Sequence, residues 1–406
     1  MVPARLVPGS WYALPQSPQL LKQLLMVSGV ERYYQLARCY RDEDFRADRQ
    51  PEFTQLDMEM AYVDQEDVMA MTEKVIAAIW KSAGYEVQLP LPRITWKDAM
   101  DKYGSDKPDL RIDLTVTDAT EAWAPAASAP LRGTPSRRWW SPASRHPQAD
   151  RQAVRRRGGP VRRKGLLVPL RRERRDCWRH RQVVQPMKDA VVAALGLEKG
   201  CFVGLTAGKL LAAQKAAGVL RSKLGAFCPN HMDKECYEFC WIVDFPMYEI
   251  GEESGLLEFC HNPFSMPNGG LEILKKAAAG EVDPLSITAF QYDLVCNGVE
   301  LSSGAVRNHD PEIMIEAFQL VRLGEDDVKA KFPAMYNAFT YGAPPHAGIA
   351  PGVDRMVMLL AGEDSIREII PFPMNKNAQD VMMDAPSAVT QKQLQELHIA
   401  LVKPEE

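Results

Sequence analysis

Hydrophobic and polar positions at the start of the chain alternate between the helical and the extended period. In QSPQLLKQLLMVSG four leucines recur at helical spacing after Pro18 and before Gly29, which predicts a helix between those two residues. The leucines are Leu20, Leu21, Leu24 and Leu25. ERYYQLARCY and EFTQLDMEMAYV are predicted strands, and EDVMAMTEKVIAAIWKSAG is a predicted amphipathic helix that ends at Gly84.

The last third of the chain returns to the same alternation. CWIVDFPMYEI is a predicted strand, and ITAFQYDLVCNGVELSSGAVR is a predicted hairpin that turns at Asn297 and Gly298. In DPEIMIEAFQLVRLG, Asp310 is the predicted N-cap of a helix that has Pro311 at its first position and Gly324 as its stop. GIAPGVDRMVMLLAG predicts a strand, a glycine turn and a buried helix.

The predicted strand that begins at Glu52 has two unlike faces, because alternate residues of a strand point in opposite directions. The apolar face, which predicts core packing, consists of Leu56, Met58, Met60 and Tyr62. The more polar face consists of Phe53, Gln55, Asp57 and Glu59. The period allows two interpretations of this second face: it is exposed to solvent, or it forms the floor of a ligand cleft on which other polar faces converge.

Two carboxylates lie near the turn of the predicted hairpin. With Asn297 and Gly298 as the turn, Val295 lies opposite Glu300, and Asp293 is the diagonal neighbour of Glu300 on the same face. Carboxylates at that diagonal can share a divalent cation, and Mg²⁺ is typically held by one or two carboxylates together with substrate phosphates. The other interpretation is an exposed acidic pair without a ligand.

The composition is that of an ordinary globular protein. The chain has 406 residues, of which 46% are hydrophobic and 25% charged, enough for two or three domains. No apolar run approaches the ~18 residues of a membrane helix, and MVPARLVPGSWYALPQ lacks the apolar centre of a secretion signal. The 8 cysteines have no regular spacing, which is typical of free thiols in a reducing compartment, so we expect a cytoplasmic protein without a membrane partner.

The segment from Ala122 to Gln182 differs from the rest of the chain. Between Leu131 and Arg181 there are 16 Arg and 1 Lys against 3 acidic residues, although the whole chain has a net charge of −4. The segment sustains neither structural period. Three interpretations are open: a basic arm that binds nucleic acid, a disordered linker, or codons translated out of frame in a GC-rich gene. We favour the third, because it accounts for the mixture of Arg, Pro, Ala, Gly and Trp.

Two other patterns are weak indicators of a site. LTAGKLLAAQKAAG contains Gly-Lys but lacks the remaining residues of a phosphate-binding loop, so it predicts a helix. FCPNHMDKECYEFC has possible zinc ligands, but their spacing lacks a Cys-x2-Cys knuckle, and free buried thiols are favoured. The possible ligands are Cys228, His231, Cys236 and Cys240.

Several segments together resemble a known enzyme family. RDEDFRADRQPEFTQLD resembles the second signature motif of class II aminoacyl-tRNA synthetases, and GIAPGVDRMVMLL resembles the third. YALPQSPQLLKQLLMVSGVERYYQLARCYRDEDF, VDFPMYE, HNPFSMPNGG and GVELSSGAVRNHD are similar to segments of the bacterial aspartyl-tRNA synthetases. The resemblance implies an α+β fold, with an antiparallel sheet flanked by helices as the class II catalytic core. It places the core in residues 1–111 and 236–406, and a GAD-type inserted domain in residues 112–235, within which residues 122–182 are aberrant or disordered.

The resemblance also implies a reaction and its ligands. The family activates L-aspartate with ATP and transfers the aspartyl group to tRNA, with Mg²⁺ as a cofactor. ATP is expected to contact Arg41, Asp42, Glu43, Gln50, Phe53, Glu300, Gly352, Val353, Asp354 and Arg355. Aspartate is expected to contact Ser17, Gln19, Lys22, Arg41, Asp57, His261 and Arg307, and Mg²⁺ is expected to bind Asp293 and Glu300.

Individual roles follow from the motifs that these residues match. Arg41 would hold the α-phosphate and the reacting carboxylate, while Phe53 and Arg355 would cover the two faces of adenine. Lys22 and Arg307 would bind the side-chain carboxylate of aspartate. The α-ammonium group is expected at Asp57, the adenine amino group at Glu43, and a mobile substrate-sensing role at His261. Arg41 and Arg355 are thus the predicted catalytic residues.

The sequence departs from the family in three ways. It begins just before YALPQSPQ, so we expect the anticodon-binding domain and the first signature motif to be absent, and the Arg-rich segment replaces part of the inserted domain. We therefore expect a synthetase whose tRNA recognition is impaired, and whose dimer, normal for the family, is weakened. The tRNA partner is that of aspartate, alone or together with that of asparagine. Two other functions are considered, a stand-alone aspartate-activating ligase for small molecules and a non-catalytic RNA-binding protein.

Overall fold

The computed structural model describes residues 2–42, 47–118, 137–141, 166–169, 192, 202–206, 208–228, 231–233, 235–251 and 253–402. The chain divides into two compact units. The first unit consists of Met1–Leu89, Met247–Phe290 and Leu301–Glu406, and the second consists of Pro90–Pro246 and Gln291–Glu300. Within the described ranges, no helix has the length and apolar character needed to cross a membrane.

Helices and strands are labelled here in chain order. The strands are β1 Val2–Pro3, β2 Trp11–Tyr12, β3 Arg32–Tyr40, β4 Glu52–Ala61, β5 Arg93–Thr95, β6 Val116–Asp118, β7 Arg137–Ser141, β8 Leu166–Pro169, β9 Phe202–Leu205, β10 Phe239–Pro246, β11 Tyr248–Ile250, β12 Leu257–Phe259, β13 Thr288–Cys296, β14 Val299–Val306 and β15 His346–Pro351. The helices are α1 Gln19–Val27, α2 Gln65–Ser82, α3 Trp96–Tyr103, α4 Leu210–Phe227, α5 Gly270–Ala278, α6 Pro311–Leu320, α7 Glu325–Lys331, α8 Pro333–Thr340, α9 Val353–Leu360 and α10 Gln391–Glu396.

An antiparallel sheet is the centre of the first unit. Its strands lie in the order β3, β4, β15 and β14, and β3 pairs with β4 from Arg32 opposite Met60 to Tyr40 opposite Glu52. In the pairing of β15 with β4, Gly348 lies opposite Glu59. Helix α2 packs against β15, and helix α9 packs against β4. The predicted strands ERYYQLARCY and EFTQLDMEMAYV are confirmed as β3 and β4.

Helix α1 has the predicted extent, and one of its four leucines, Leu24, packs against a hydrophobic core. Leu20, Leu21 and Leu25 are exposed, whereas Lys22 is fully buried together with Gln23 and Met26. Lys22 forms ion pairs with two carboxylates of β4, which hold its face of the helix inward. Apolar spacing therefore predicted the helix but did not specify its buried face.

The two faces of β4 also differ from the simpler expectation. Asp57 and Glu59 are 1% and 0% exposed, so the interpretation of the polar face as solvent-exposed surface is wrong for these two residues. On the apolar face Met58 is buried, but Tyr62 is 72% exposed, because the strand ends at Ala61 and Tyr62 adopts a left-handed conformation with φ 58°.

Two predicted boundaries are wrong. The helix that begins after Asp310 is confirmed, and the Asp310 side chain accepts a hydrogen bond from the backbone N–H of Glu312. The helix ends at Leu320, however, and not at Gly324, which instead precedes helix α7. CWIVDFPMYEI forms two strands, β10 and β11, rather than one, with a left-handed residue, Asp244 (φ 57°), near the break.

Two small hydrophobic cores lie among the described residues of the second unit. One surrounds Cys240 and Ile242 of β10, and in this unit β10 pairs in parallel with β5. The other is formed by helix α4 against residues 112–116. The predicted hairpin turn is confirmed at Asn297 and Gly298, whose φ values of 51° and 83° are those of a type I′ turn. LTAGKLLAAQKAAG is confirmed as helical, because it includes the start of α4.

Two segments of the Arg-rich stretch form strands in this unit. Strands β7 and β8 both pair with β9, and β6 pairs with β7, in a sheet of order β6, β7, β9 and β8. The two segments were expected to lack a regular period, and their backbone pairing was not predicted. The rest of residues 122–182 lies outside the described residues, so the expectation of an aberrant segment stays a prediction.

Candidate substrate and nucleotide site

A buried cluster of charged side chains lies in the first unit. The ammonium group of Lys22 lies 2.5 Å from Asp57 Oδ1 and 3.0 Å from Glu59 Oε2. On the other side of Glu59, Arg307 donates through Nε to Oε1 at 2.9 Å and through Nη2 to Oε2 at 3.2 Å. All four side chains are 3% exposed or less. The cluster thus joins two cations and two carboxylates away from water.

The local sequence explains how the cluster is assembled. Asp57 and Glu59 are two residues apart on β4, so both carboxylates project from one face of the strand. Opposite Glu59 lies Gly348, where a Cβ atom would collide with Glu59 Oε2 and with the carbonyl oxygen of Met58. Arg307 follows β14, and its backbone N–H donates to the carbonyl of His346 at 2.9 Å. The missing side chain at position 348 therefore provides the space that the Glu59 carboxylate occupies.

The two carboxylates of the cluster titrate in opposite directions. Burial opposes ionisation of Glu59, but Arg307 and Lys22 outweigh it, so the pKa of Glu59 lies below its ordinary value. At Asp57 burial prevails over the attraction of Lys22, and the pKa of Asp57 is raised. Burial also lowers the pKa of His346, whose Nδ1 lies 2.8 Å from the carbonyl oxygen of Pro344. His346 is therefore neutral at pH 7, with Nδ1 as the donor.

The predicted nucleotide residues in the first unit form a second group. The guanidinium carbon of Arg41 lies 5.1 Å from the centroid of the Phe53 ring, a cation–π distance. Arg355 pairs with Asp48, with 3.2 Å between Nη2 and Oδ2 and a further bond from Nε to the Asp48 carbonyl. Asp354 accepts from the backbone N–H of Thr54 at 2.7 Å, which ties the start of α9 to β4.

Other predicted residues have less specific surroundings. Both polar atoms of the Gln50 amide bond to the backbone of Met374, at 3.2 and 3.1 Å. Gln19 Nε2 is buried and has no hydrogen-bond partner among the residues that the structure describes. Gly352 has φ −77°, so its conformation does not require glycine.

The remaining predicted contacts of ATP and aspartate differ in solvent exposure. Asp42 and His261 are exposed, whereas Ser17 and Val353 are partly buried. Glu43 lies outside the described residues.

The predicted metal ligands belong to the second unit. Asp293 is 4% exposed, and Glu300 forms an ion pair with Lys107, with 3.1 Å between Nζ and Oε2. Lys107 also pairs with Asp106 at 3.1 Å. Burial would lower the pKa of Lys107, but Glu300, Asp106 and Asp293 outweigh it and raise the pKa, so the ammonium group stays charged at neutral pH. No group of three or more His, Cys, Asp or Glu side chains suited to a metal ion occurs in the described part of the chain.

The alternative zinc site is not supported by the geometry. Cys228, Cys236 and Cys240 are free cysteines, and His231 Nδ1 lies 2.7 Å from Asp113 Oδ1. Burial raises the pKa of Cys240 to about 12, so that thiol is protonated at neutral pH. The interpretation as free thiols is in agreement with these surroundings.

Sequence reasoning missed three residues around these groups, namely His346, Gly348 and Lys107. It placed Glu59 on the same strand face as Asp57 but gave it no role in the site. Lys107 and Gly348 meet their partners through distant segments, and no local pattern indicates them.

Comparisons with known proteins agree with this architecture. The family model of class II tRNA synthetases (D, K and N) matches residues 1–376. The chain belongs to this family. It is 47% identical to the aspartate–tRNA(Asp/Asn) ligase of Acidiphilium cryptum (strain JF-5), over 100% of this chain and 69% of that protein. The identity is 45% to the aspartate–tRNA(Asp/Asn) ligase of Zymomonas mobilis, again over 100% of this chain and 69% of the relative.

A solved structure, the aspartyl-tRNA synthetase from Entamoeba histolytica, matches with a TM-score of 0.44 and 17% identity, over 89% of this chain and 51% of that chain. The family match confirms the resemblance stated above and the predicted class II α+β core, in which an antiparallel sheet is flanked by helices.

Proposed function

We propose that this protein is an aspartate–tRNA ligase. It activates L-aspartate with ATP to aspartyl-adenylate and pyrophosphate, and then transfers the aspartyl group to tRNA. The observation that carries the proposal is the buried cluster in which Lys22 and Arg307 flank Glu59. Relatives that match this chain over its full length are named as ligases for the tRNAs of aspartate and asparagine, so we include both tRNAs among the partners.

The cluster suits an acidic amino acid. Lys22 and Arg307 supply two cations at a site from which water is excluded, and charge-assisted hydrogen bonds to a carboxylate are strong there. Asp57 is the acceptor for the α-ammonium group, with Ser17 and Gln19 beside it. His261, on an exposed loop, is proposed to approach the bound substrate. The two ends of aspartate would then meet opposite charges, which fixes its orientation.

ATP is proposed to bind near Arg41, Phe53 and Arg355. Arg41 binds the α-phosphate and the reacting carboxylate, because a guanidinium fork matches both anions. Phe53 and Arg355 cover adenine, and Asp42, Glu43, Gln50, Gly352, Val353 and Asp354 complete the contacts. The carboxylate of aspartate is itself the nucleophile: it attacks the α-phosphorus, and pyrophosphate leaves. No protein nucleophile is needed, so Arg41 and Arg355 act by positioning and charge stabilisation.

Mg²⁺ is proposed to bind Asp293 and Glu300. Two carboxylates are a suitable donor set for Mg²⁺ when phosphates supply further ligands, and they need no third protein carboxylate. When bound, the ion would neutralise phosphate charge. In the protein itself, Lys107 is the cation that contacts Glu300.

Other functions have less support. A stand-alone ligase for small molecules would need no tRNA, but the relatives are named for tRNA ligation. An RNA-binding protein without catalysis would not require the buried pairs of Lys22 and Arg307. From the family we further propose a homodimer that acts in the cytoplasm.

The decisive experiment is aspartate-dependent exchange between ATP and pyrophosphate. We expect Arg41→Ala and Arg355→Ala to abolish the exchange. Arg38→Ala is the matched control, because Arg38 lies on β3 with 52% of its side chain exposed and pairs with Glu52 and Thr54 of β4. Exchange that continues unchanged in Arg41→Ala or Arg355→Ala would contradict the role given to that arginine, and exchange with another amino acid only would contradict the substrate.

A further inference from the structure

A lysine contacts the carboxylate that the proposed Mg²⁺ site uses. Lys107 Nζ lies 3.1 Å from Glu300 Oε2 and 3.1 Å from Asp106 Oδ2. Asp293 also interacts electrostatically with the same ammonium group. The single positive charge of Lys107 therefore attracts both proposed metal ligands, Asp293 and Glu300, and a third carboxylate, Asp106.

The segment before Lys107 is fixed by close packing. Helix α3 ends at Tyr103, and its C-cap is Gly104, which adopts a left-handed conformation with φ 67°. A Cβ atom at Gly104 would collide with the backbone of Gly218 in α4, so the two helices touch at this point without side chains. The backbone N–H of Lys107 then donates to Ser105 Oγ at 3.0 Å.

The segment after Lys107 is fixed by charge. Asp109 accepts two hydrogen bonds from Arg111, from Nε at 2.9 Å and from Nη2 at 2.8 Å. Gly298, at the hairpin turn, approaches so closely that an added Cβ would lie 3.2 Å from the Asp109 side chain. Lys107 is thus presented to Glu300 by a segment that is anchored on both sides.

We propose that Lys107 is a tethered counter-cation of the metal site, a role that rests on the Mg²⁺ assignment in the proposed function. Its ammonium group offsets part of the negative charge of Glu300, Asp293 and Asp106 when no metal is bound, and it must leave Glu300 before a divalent ion can use both ligands. Because the ammonium group and the ion repel each other, Lys107 weakens the binding of free metal. Phosphate oxygens would offset that repulsion, so the site favours a divalent ion that arrives together with a nucleotide.

The partial exposure of Lys107 makes it a suitable position for substitution. Its side chain is 31% exposed and that of Glu300 is 21% exposed, and an ion pair with this exposure contributes little to stability. Replacing Lys107 is therefore expected to change metal affinity more than folding.

The test measures Mn²⁺ affinity by electron paramagnetic resonance, with the nucleotide-free protein. We expect Lys107→Gln to bind Mn²⁺ more tightly than the wild type, on the order of tenfold. Lys107→Arg keeps the charge and should bind as weakly as the wild type. Lys102→Gln is the control for net charge, because Lys102 is an exposed residue of α3 five positions away. Lys107→Met, which keeps the apolar stem, replaces the Gln variant if that variant does not fold.

The outcomes separate this proposal from the metal assignment. Equal Mn²⁺ affinity in the wild type and Lys107→Gln, with loss of Mn²⁺ in Asp293→Asn, would overturn the counter-cation role and leave the metal site in place. If Asp293→Asn also binds Mn²⁺ unchanged, the metal assignment itself is wrong. Failure of every variant to bind Mn²⁺ would overturn the role of Lys107, because its removal should expose the site.

Discussion

Glu59 and Arg307 are joined by two side-by-side hydrogen bonds, from Nε to Oε1 at 2.9 Å and from Nη2 to Oε2 at 3.2 Å. The side chains are 0% and 3% exposed, so the pair lies in a region without water. Lys22 contacts the same carboxylate, at 3.0 Å. Glu59 therefore pairs with two buried cations, both of which are proposed to bind aspartate.

Loss of the Glu59 charge is predicted to destabilise the protein strongly. Glu59→Gln removes the carboxylate that Arg307 and Lys22 share, and breaking a buried ion pair in this way costs ~3–5 kcal/mol. Urea denaturation measures the change in the free energy of unfolding. Glu52→Gln is the control on the same strand, because Glu52 pairs with Arg38 at the surface, where ~1 kcal/mol or less is expected. Equal losses in the two variants would contradict the buried role of Glu59.

The pH dependence of stability should show opposite contributions from Glu59 and Asp57. The pKa of Glu59 in the folded protein is lowered, so its stabilisation is present above its ordinary value of 4.5 and is lost as the pH falls through the folded pKa. The pKa of Asp57 is raised above its ordinary value of 3.8, so its ionisation in the folded state carries a cost at neutral pH that protonation removes.

The opposite pKa shifts of Glu59 and Asp57 can be tested by comparing how the stability of two variants changes as the pH falls from about 6 to about 3. Glu59→Gln should lose stability less steeply than the wild type as the pH falls, and Asp57→Asn should lose it more steeply. Thermal unfolding at a series of pH values gives both slopes. Parallel curves for all three proteins would mean that neither carboxylate has a perturbed pKa in the folded state.

The absence of a side chain at position 348 is predicted to be essential. In Gly348→Ala the new Cβ meets Glu59 Oε2 and the fixed carbonyl of Met58, so either the strands separate or the carboxylate moves. We expect a loss of about 3 kcal/mol in the free energy of unfolding, because overpacking against backbone cannot relax easily.

The matched control for this variant is Gly324→Ala, where the nearest atom to an added Cβ is Asp327 Oδ2 at 3.8 Å. Gly324→Ala should cost about 1 kcal/mol or less, because it replaces glycine by the less favoured alanine at the N-cap of α7 without a steric collision. A Gly348→Ala protein as stable as this control would show that β4 and β15 tolerate a wider separation at Glu59.

The sequence predicted elements better than it predicted their orientation. Helix α1 and strands β3 and β4 follow from local periods, and the turn at Asn297 and Gly298 follows from residues that tolerate positive φ. The buried face of α1 did not follow, because Lys22 is drawn inward by Asp57 and Glu59, whose partnership depends on distant pairing. Charge complementarity between separate elements overrode the leucine pattern.

The candidate site shows the same division. Lys22, Asp57 and Arg307 were expected together from the family resemblance, and they lie in one cluster. The role of Glu59 at its centre, and the space provided by Gly348, depend on the register of β4 with β15, which no local pattern specifies.

In the second unit, Arg221 is predicted to be a structural residue. Its guanidinium group is 1% exposed and donates to the carbonyls of Leu114, Ile112 and Asp109, at 2.5, 2.6 and 2.9 Å. Arg221→Gln cannot reach all three acceptors, and each buried carbonyl left unsatisfied costs ~1–3 kcal/mol. Hydrogen–deuterium exchange should show faster exchange at residues 109–116. Lys215→Gln, an exposed position on the same helix, should leave the exchange unchanged, and protection retained in both variants would contradict the prediction.

Lys22→Ala is predicted to reduce aspartate affinity while ATP affinity is retained. The buried carboxylate of the substrate loses a charged partner, which costs ~2–5 kcal/mol. The KM values for aspartate and for ATP in the exchange reaction measure the two effects separately. Lys22→Met keeps the apolar stem, and Leu21→Ala is the control on the same helix, because Leu21 is 65% exposed.

The separation of the two KM values distinguishes binding from folding in these variants. General unfolding of the first unit would reduce the affinity for both substrates and the fraction of active protein, whereas loss of a substrate contact raises the KM for aspartate alone. Because Lys22 also pairs with Asp57 and Glu59, some loss of stability is expected in addition. If the KM for aspartate in Lys22→Met equals that of Leu21→Ala, Lys22 serves only to neutralise β4, and Arg307 remains as the cation for the substrate carboxylate.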